Sequence, residues 1–261
     1  ATSALNTDGY SHTVSLPATV EAGDTLMVFF TSDGSGTATF PEGWNSLVNQ
    51  LAYNNTARYS VAYKKAVGNE DGTTITVTTS GTEQSSHISI AVQNAADPTV
   101  TAPEVAVYAY AGTTSSPNPP SLSPNGGSGD YLWIAAEGND YYRSVLTYPL
   151  NFPLWQTSKR GSSSSGTGTA IAALPATASS QDPSNFTISS ADETVAATIA
   201  IYPVPSVPGV TLSATSTAAT EGGATGDYTI VLDAAPTATT TITVSGGGGE
   251  ATGLPSPLTF T

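Results

Sequence analysis

Apolar and polar residues alternate along most of residues 1–204, in short runs broken by Gly, Pro, Asn and Asp. This is the period-two pattern of β-strands, and no segment carries the period of a helix. The pattern predicts strands at 11–16, 24–32, 46–53, 57–66, 73–79, 86–94 and 104–112, then at 130–137, 152–158, 167–174, 185–190 and 194–202. In the run Thr25 to Phe30, Leu26, Val28 and Phe30 face one way and Met27 and Phe29 the other, which predicts a central strand covered on both sides. Tyr59, Val61 and Tyr63 alternate with Ser60, Ala62 and Lys64, which predicts a half-buried strand. The apolar content is Val, Ile, Ala and Tyr rather than the Leu, Glu and Lys of helices. The fold class is therefore all-β, with antiparallel sandwiches of immunoglobulin-like or jelly-roll-like type.

The chain also repeats itself. His12 to Asp24 (HTVSLPATVEAGD) aligns without a gap with Asn118 to Asp130 (NPPSLSPNGGSGD), an offset of about 106 residues. An apolar run follows each, TLMVFF and YLWIAA, and the alignment sets Trp133 against Met27. Phe40-Pro41 answers Tyr148-Pro149, and Ser89 to Val92 answers Thr198 to Ile201. One supersecondary unit used twice predicts tandem sandwiches over 1–114 and 115–204. The Pro- and Ser-rich stretch after Gly112 reads as their connection, and Pro203, Pro205 and Pro208 mark a stiff linker over 205–209. A third, partial domain follows at 210–261.

Two resemblances rest on these segments. Residues 209–261 contain no Lys or Arg; Glu221-Gly222-Gly223, Thr225-Gly226, Tyr228, Leu232 and Pro236 follow an EGG-x-TG-x-Y-x-I-x-L-x-x-x-P pattern. On those residues the segment resembles the first half of a Calx-beta repeat, which implies about four strands of the roughly seven a closed sandwich needs. Such a domain continues in further residues or is completed by strands of a neighbouring copy. Residues 1–204 resemble a duplicated β-rich segment of tailed-phage virion proteins and large bacterial surface proteins. That resemblance rests on Ser15 to Gly34 (SLPATVEAGDTLMVFFTSDG), the FPEGW turn at Phe40 to Trp44, and TVAATIAI at Thr194 to Ile201. It implies a non-enzymatic surface part and names no ligand.

Composition narrows the partners. Six Lys plus Arg against twenty Asp plus Glu give a net charge of -14, which repels nucleic acid and anionic membranes. No run approaches the roughly 18 apolar residues of a membrane span. Thr, Ser, Gly and Asn richness with scarce Lys points to an extracellular protein, and the missing initiating Met to a trimmed or partial chain.

With no Cys, two His and no G-x-S-x-G elbow, nucleophilic catalysis and zinc lack their residues. His12 shares an apolar face with Val14 and Leu16, and His87 precedes Ile88, so both read as structural. Asp33, Glu42, Glu137 and Asp140 occupy corresponding loops of the two copies, where paired carboxylates could do acid–base work. Asp33 and Asp140 sit in Gly-rich turns, however, where Asp serves turn geometry. Calcium fits better than zinc, because hard oxygen ligands are plentiful and the Calx-beta resemblance implies it: Glu221 matches an early acidic position of that pattern, and Asn69, Glu70 and Asp71 form a second acidic turn. Tyr141, Tyr142, Arg143 and Tyr148 cluster in the second copy alone, either as a carbohydrate platform or as a packing contact. Trp133 and Trp44 read as packed, and the pattern does not place Trp155. Asn54 and Asn185 begin N-x-T sequons, the sites of possible glycosylation.

The sequence thus predicts a non-enzymatic extracellular structural or adhesive protein of a virion or cell surface, with no required cofactor and calcium as an ion it could bind. It would self-associate, or bind other virion or surface proteins, without nucleic acid or membrane insertion. The alternative is a carbohydrate-binding adhesin module that grips glycans through the Tyr141 to Tyr148 loop.

Overall fold

The apolar run at residues 25–30 becomes the core of strand β2 (Thr25–Asp33), in which every residue from Thr25 to Ser32 is buried. Around it lie β1 (Thr2–Ser15), β4 (Asn45–Leu51), β5 (Ala57–Lys65) and β6 (Thr74–Val92), in the antiparallel order β1-β6-β2-β5-β4, with the short β3 (Ala38–Thr39) also on β6. A second antiparallel sheet contains β7 (Glu104–Thr114), β8 (Gly129–Asn139), β10 (Leu154–Ser162), β11 (Ser165–Ala178) and β13 (Asp192–Ile201), in the order β7-β13-β8-β11-β10. Both sheets run first, last, second, then outward through the remaining hairpin arms. The protein, described here from a computed structural model, is thus all-β, with no α-helix among the described residues. These are residues 1–162, 165–204, 209–213, 222–223, 229–233, 239–243 and 258–260, with the side chains of Asn6 and residues 161–165 left aside.

Three readings change. The strand at 104–112, assigned by pattern to the first sandwich, is β7 and pairs with β13 in the second sheet. The boundary between repeats therefore lies in the 93–103 connection rather than at 114, because alternation fixes a strand's faces but not its partner. The predicted strands at 73–79 and 86–94 are two parts of one strand, β6, 19 residues long. And Ile134, not Trp133, takes the place of Met27: Met27 and Ile134 face the core between the sheets, while Leu26 and Trp133 face outward.

The two sheets pack face to face. Met27, Phe29, Tyr59, Val61 and Ile88 of the first meet Ile134, Ala136, Ile171, Val195, Ala197 and Ile199 of the second in one buried cluster. Residues 1–204 are accordingly one compact unit rather than two separate sandwiches. β5 is covered more fully than its alternation suggests, since Ser60 and Ala62 on its other face are also buried. Towards one end the shared core turns polar: the Thr169 hydroxyl meets those of Thr31 (2.5 Å) and Ser86 (2.9 Å), and Thr167 donates to Ser86 at 2.9 Å. These hydroxyls satisfy one another across the seam and so join the sheets.

Each repeat also keeps a core on its outer face. In the first, Val14, Leu16, Leu26, Val28, Phe30 and Val77 pack together with Phe40 and Trp44 against them. In the second, Tyr131, Trp133, Phe152, Phe186 and Ala200 do so, beneath the small pair β9 (Val145–Thr147) and β12 (Thr187–Ile188). The last residues of this unit are tied back to the inter-repeat connection, with Ala96 N–H donating to Tyr202 O (2.8 Å) and Val204 N–H to Asn94 O (3.0 Å).

Residues 205–261 form a second unit. Its described strands are β14 (Val210–Leu212), paired with β15 (Ile230–Leu232), and β16 (Thr240–Ile242), paired with β17 (Leu258–Phe260). Glu221, Thr225, Gly226, Tyr228 and Pro236 of the Calx-beta pattern lie outside the described residues.

Candidate functional site

Two features stand apart from the packing: an aromatic face on the second repeat and an acidic cluster at the polar end of the seam. The aromatic face grows from the long connection between β8 and β10. Tyr148 stacks on Trp155 of β10, ring centroids 4.9 Å apart and planes 22° apart, and presents its edge to the buried Phe186. Phe186 anchors Tyr148 from below, so the Trp155 indole, 59% exposed, is held rather than loose. Two residues along the same face of β10, Thr157 hydrogen-bonds the Tyr148 phenol. Lys159 follows, its ammonium 4.4 Å from the Tyr142 ring centroid and 2.6 Å from Ser144 Oγ. Leu146, Leu150 and Leu154 are exposed on the same stretch of chain.

The four residues singled out by sequence thus divide. Tyr142 and Tyr148 belong to the aromatic face. Arg143 turns instead to Asp192, Nε to Oδ2 at 2.9 Å, and its guanidinium lies 5.1 Å from the Tyr141 ring centroid. Trp155 and Lys159, which the pattern did not single out, complete the platform. The first repeat lacks it: Ala62 and Ala172 stand at matching positions beside β2 and β8, and Ser46 occupies on Ala62 the place Trp155 takes on Ala172.

At the acidic end, Asp33 and Asp140 close β2 and β8 at matching positions, and their carboxyl groups come within hydrogen-bonding reach of each other. Asp140 Oδ2 or Oδ1, one oxygen of Asp192 and one of Glu193 all lie within 4.8 Å of one another. Asp140 and Asp192 are buried. Burial, then the charges of Asp33, Asp192 and Glu193, push the Asp140 carboxyl up to about 8. Asp192 is also raised by burial, a shift opposed by the N–H of Tyr141, the Arg143 guanidinium and the N–H of Glu193. Asp33 is raised by burial and by Asp8. Glu137, fully buried on the outer face of β8, accepts from the Asn139 amide at 3.0 and 3.2 Å, and burial lifts it to about 8. The sequence pairs Asp33 with Asp140 correctly, but Asp192 and Glu193 emerge only when β13 is set beside β6, where Glu83 and Gln84 match them.

The remaining candidates fall elsewhere. Glu42 is exposed in the turn before β4. Burial works against the charge of Glu70, but Lys64 at 2.9 Å and the N–H groups of Val67, Gly68 and Asn69 outweigh it and hold the carboxyl at about 2. With Asp71 accepting from Val20 N–H at 2.5 Å, that acidic turn is engaged in loop structure. Asn54 sits exposed in a single 3-10 turn with φ 57°, and Asn185, also exposed, donates to Ser116 Oγ at 2.8 Å. Glu221 lies outside the described residues. His12 and His87 are buried in a chain of hydrogen bonds, Thr79–His12–Ser85–His87–Ser3.

The fold places the chain among all-β proteins built from facing antiparallel sheets. No protein-family model matches the sequence, no curated protein matches it, and no solved structure matches its fold.

Proposed function

We propose that residues 1–204 act as a non-enzymatic structural and adhesive module of an extracellular surface, whose contact face is the Trp155–Tyr148–Tyr142 platform. One observation carries this reading: an exposed, pre-stacked aromatic pair present in one repeat and replaced by Ser46 in the other. A duplicated scaffold that differs at one exposed aromatic position has been specialised there, and buried anchoring of Tyr148 lowers the ordering cost of binding. The tailed-phage and bacterial-surface resemblance of 1–204, and the Calx-beta resemblance of 209–261, support assembly into a virion surface, fibre or cell-surface array. The partner of the platform is a second copy or another surface protein, since aromatic and aliphatic side chains mixed with one Lys suit a protein interface.

Carbohydrate recognition is the second reading, favoured by the free face of the Trp155 indole, which offers a sugar ring a flat apolar surface. Trp155→Ala and Tyr142→Ala separate the two. Sedimentation equilibrium of the full chain should show self-association, or capture of its surface partner, that weakens at least tenfold in Trp155→Ala with the melting temperature unchanged. Glycan binding by calorimetry that is lost in the same variant would favour the adhesin. Unchanged assembly and no glycan binding in either variant would remove the platform from the function.

A further inference from the structure

The acidic end of the seam brings together carboxylates from both repeats. Asp33 is the last residue of β2, Asp140 directly follows β8, and Asp192 and Glu193 begin β13. Carboxylate oxygens of Asp140, Asp192 and Glu193 lie within 4.8 Å of one another. Two oxygens on opposite sides of one calcium ion are roughly 4.6–5.2 Å apart, so all three fit a single coordination sphere. Arg143 is bonded to one member, Asp192, and provides one positive charge for the four carboxyl groups.

A second observation is independent of that clustering. Asp140 is only 3% exposed, yet among the described residues its Oδ1 meets no nitrogen or hydroxyl donor, and the nearest group to its carboxyl is another carboxyl, that of Asp33. An orphaned carboxylate oxygen out of water costs about 1–3 kcal/mol or more, so native structures give it a donor or a cation. The neighbours supply acceptors: Asp33 on one side, Asp192 and Glu193 on the other. The backbone donors nearby are already committed, Tyr141 N–H to Asp192 Oδ2 at 2.9 Å and Asp140 N–H to Glu193 O at 3.1 Å.

We propose that Asp140, Asp192 and Glu193, with Asp33 of the first repeat beside Asp140, form a site for a divalent cation at the joint between the repeats. An all-oxygen, carboxylate-rich set without imidazole or thiolate selects a hard cation, and calcium suits it best because it accepts irregular geometry and mono- or bidentate carboxylates. The cation would offset the mutual repulsion that otherwise strains this end of the seam. It would also make the joint between repeats depend on the millimolar calcium of extracellular fluids. None of these residues belongs to the acidic turn at Asn69 to Asp71 or to the Calx-beta pattern.

The test uses the full chain at pH 8, stripped with EDTA, then titrated with CaCl2 against an ionic-strength control of KCl. Calcium should raise the melting temperature saturably by several degrees, MgCl2 less, and KCl not at all. Terbium should show luminescence sensitised by Tyr141, which adjoins Asp140 and Asp192, and calcium should quench it by competition. In Asp140→Asn both responses should vanish while the cation-free melting temperature is equal to or above the parent's, because a buried charge has been removed. Should Asp140→Asn fail to fold, Glu193→Gln, at a partly exposed position, should weaken terbium binding at least tenfold. The proposal is overturned if calcium gives no shift beyond KCl, or if the shift persists in Asp140→Asn. A shift that persists there and disappears in Glu221→Gln would assign calcium to residues 205–261 instead.

Discussion

His87 lies flat on Phe30, ring centroids 4.9 Å apart and planes within 8° of parallel, while His12 meets the same ring edge-on at 5.2 Å. Both imidazoles are buried, with Ser85 Oγ between them at 2.6 Å from His12 Nδ1 and 2.7 Å from His87 Nε2. Burial holds the folded-state values down, to about 4 for His12 and about 3 for His87, the latter also depressed by His12. The unfolded chain protonates its histidines near 6.5, roughly, so between that pH and about 3 it binds more protons than the fold does. Stability contributed by these neutral rings is therefore present above about 6.5 and lost on acidification. We expect the urea midpoint to fall between pH 6.5 and 4 in a Glu137→Gln/Asp140→Asn background, where the opposing titrations of those two raised carboxyls are absent. A midpoint that stays level across this range in that background would count against neutral buried histidines.

Glu137 carries the opposite sign. Its carboxyl is protonated in the fold up to about pH 8 but ionises near 4.5, roughly, when unfolded. The folded form holds the extra proton in that window, so stability falls as pH rises from about 4.5 to 8. Gln at this position keeps an acceptor for the Asn139 amide and cannot ionise. Glu137→Gln should leave stability at pH 5 nearly unchanged and raise it at pH 9 by roughly 2–4 kcal/mol. Equal gains at both pH values would show that packing, not charge, is responsible.

Much of the fold is legible from alternation alone. The run at 25–30 predicts a strand covered on both faces, and its two faces indeed line two different cores. Tyr59, Val61 and Tyr63 were readable as a buried face, but not as a face against the other repeat, because the same stripe serves whichever apolar surface covers it. The partner of β7 was unreadable for the same reason. At the platform, Tyr142 and Tyr148 stood out as members of an aromatic cluster confined to the second repeat, whereas Trp155 did not, since its significance rests on stacking across the connection rather than on its neighbours in sequence. Asp33 and Asp140 looked like turn residues because one ends its strand and the other follows its strand directly, each beside a turn; only the meeting of the two sheets makes them a pair.

Gly138 stands where the first repeat has Thr31, and both face the seam. A Cβ at Gly138 would collide with the Tyr59 ring and come within 2.6 Å of Thr31 Oγ1, which itself is committed to Thr169. Both neighbours are fully buried, so neither can swing into solvent. Gly138→Ala should therefore cost roughly 1–3 kcal/mol by denaturant unfolding, despite adding a single methyl group. A neutral result would mean that the sheets separate more readily than their shared core suggests.

That shared core also governs what each repeat can do alone. A chain ending in the 93–103 connection keeps the complete order β1-β6-β2-β5-β4 and its outer core around Phe30. It loses everything that covers Met27, Phe29, Tyr59, Val61 and Ile88, leaving a continuous apolar sheet face in water. Monomeric proteins rarely expose contiguous apolar patches larger than a few hundred Å². Since the missing partner is a sheet of the same strand order, a second copy of the fragment offers the nearest substitute. Residues 1–102 expressed alone should sediment as a dimer or larger aggregate, and adding residues 103–204 as a separate chain should draw them into a one-to-one complex. A fragment that remains a folded monomer at micromolar concentration would show that the two repeats are independent sandwiches after all.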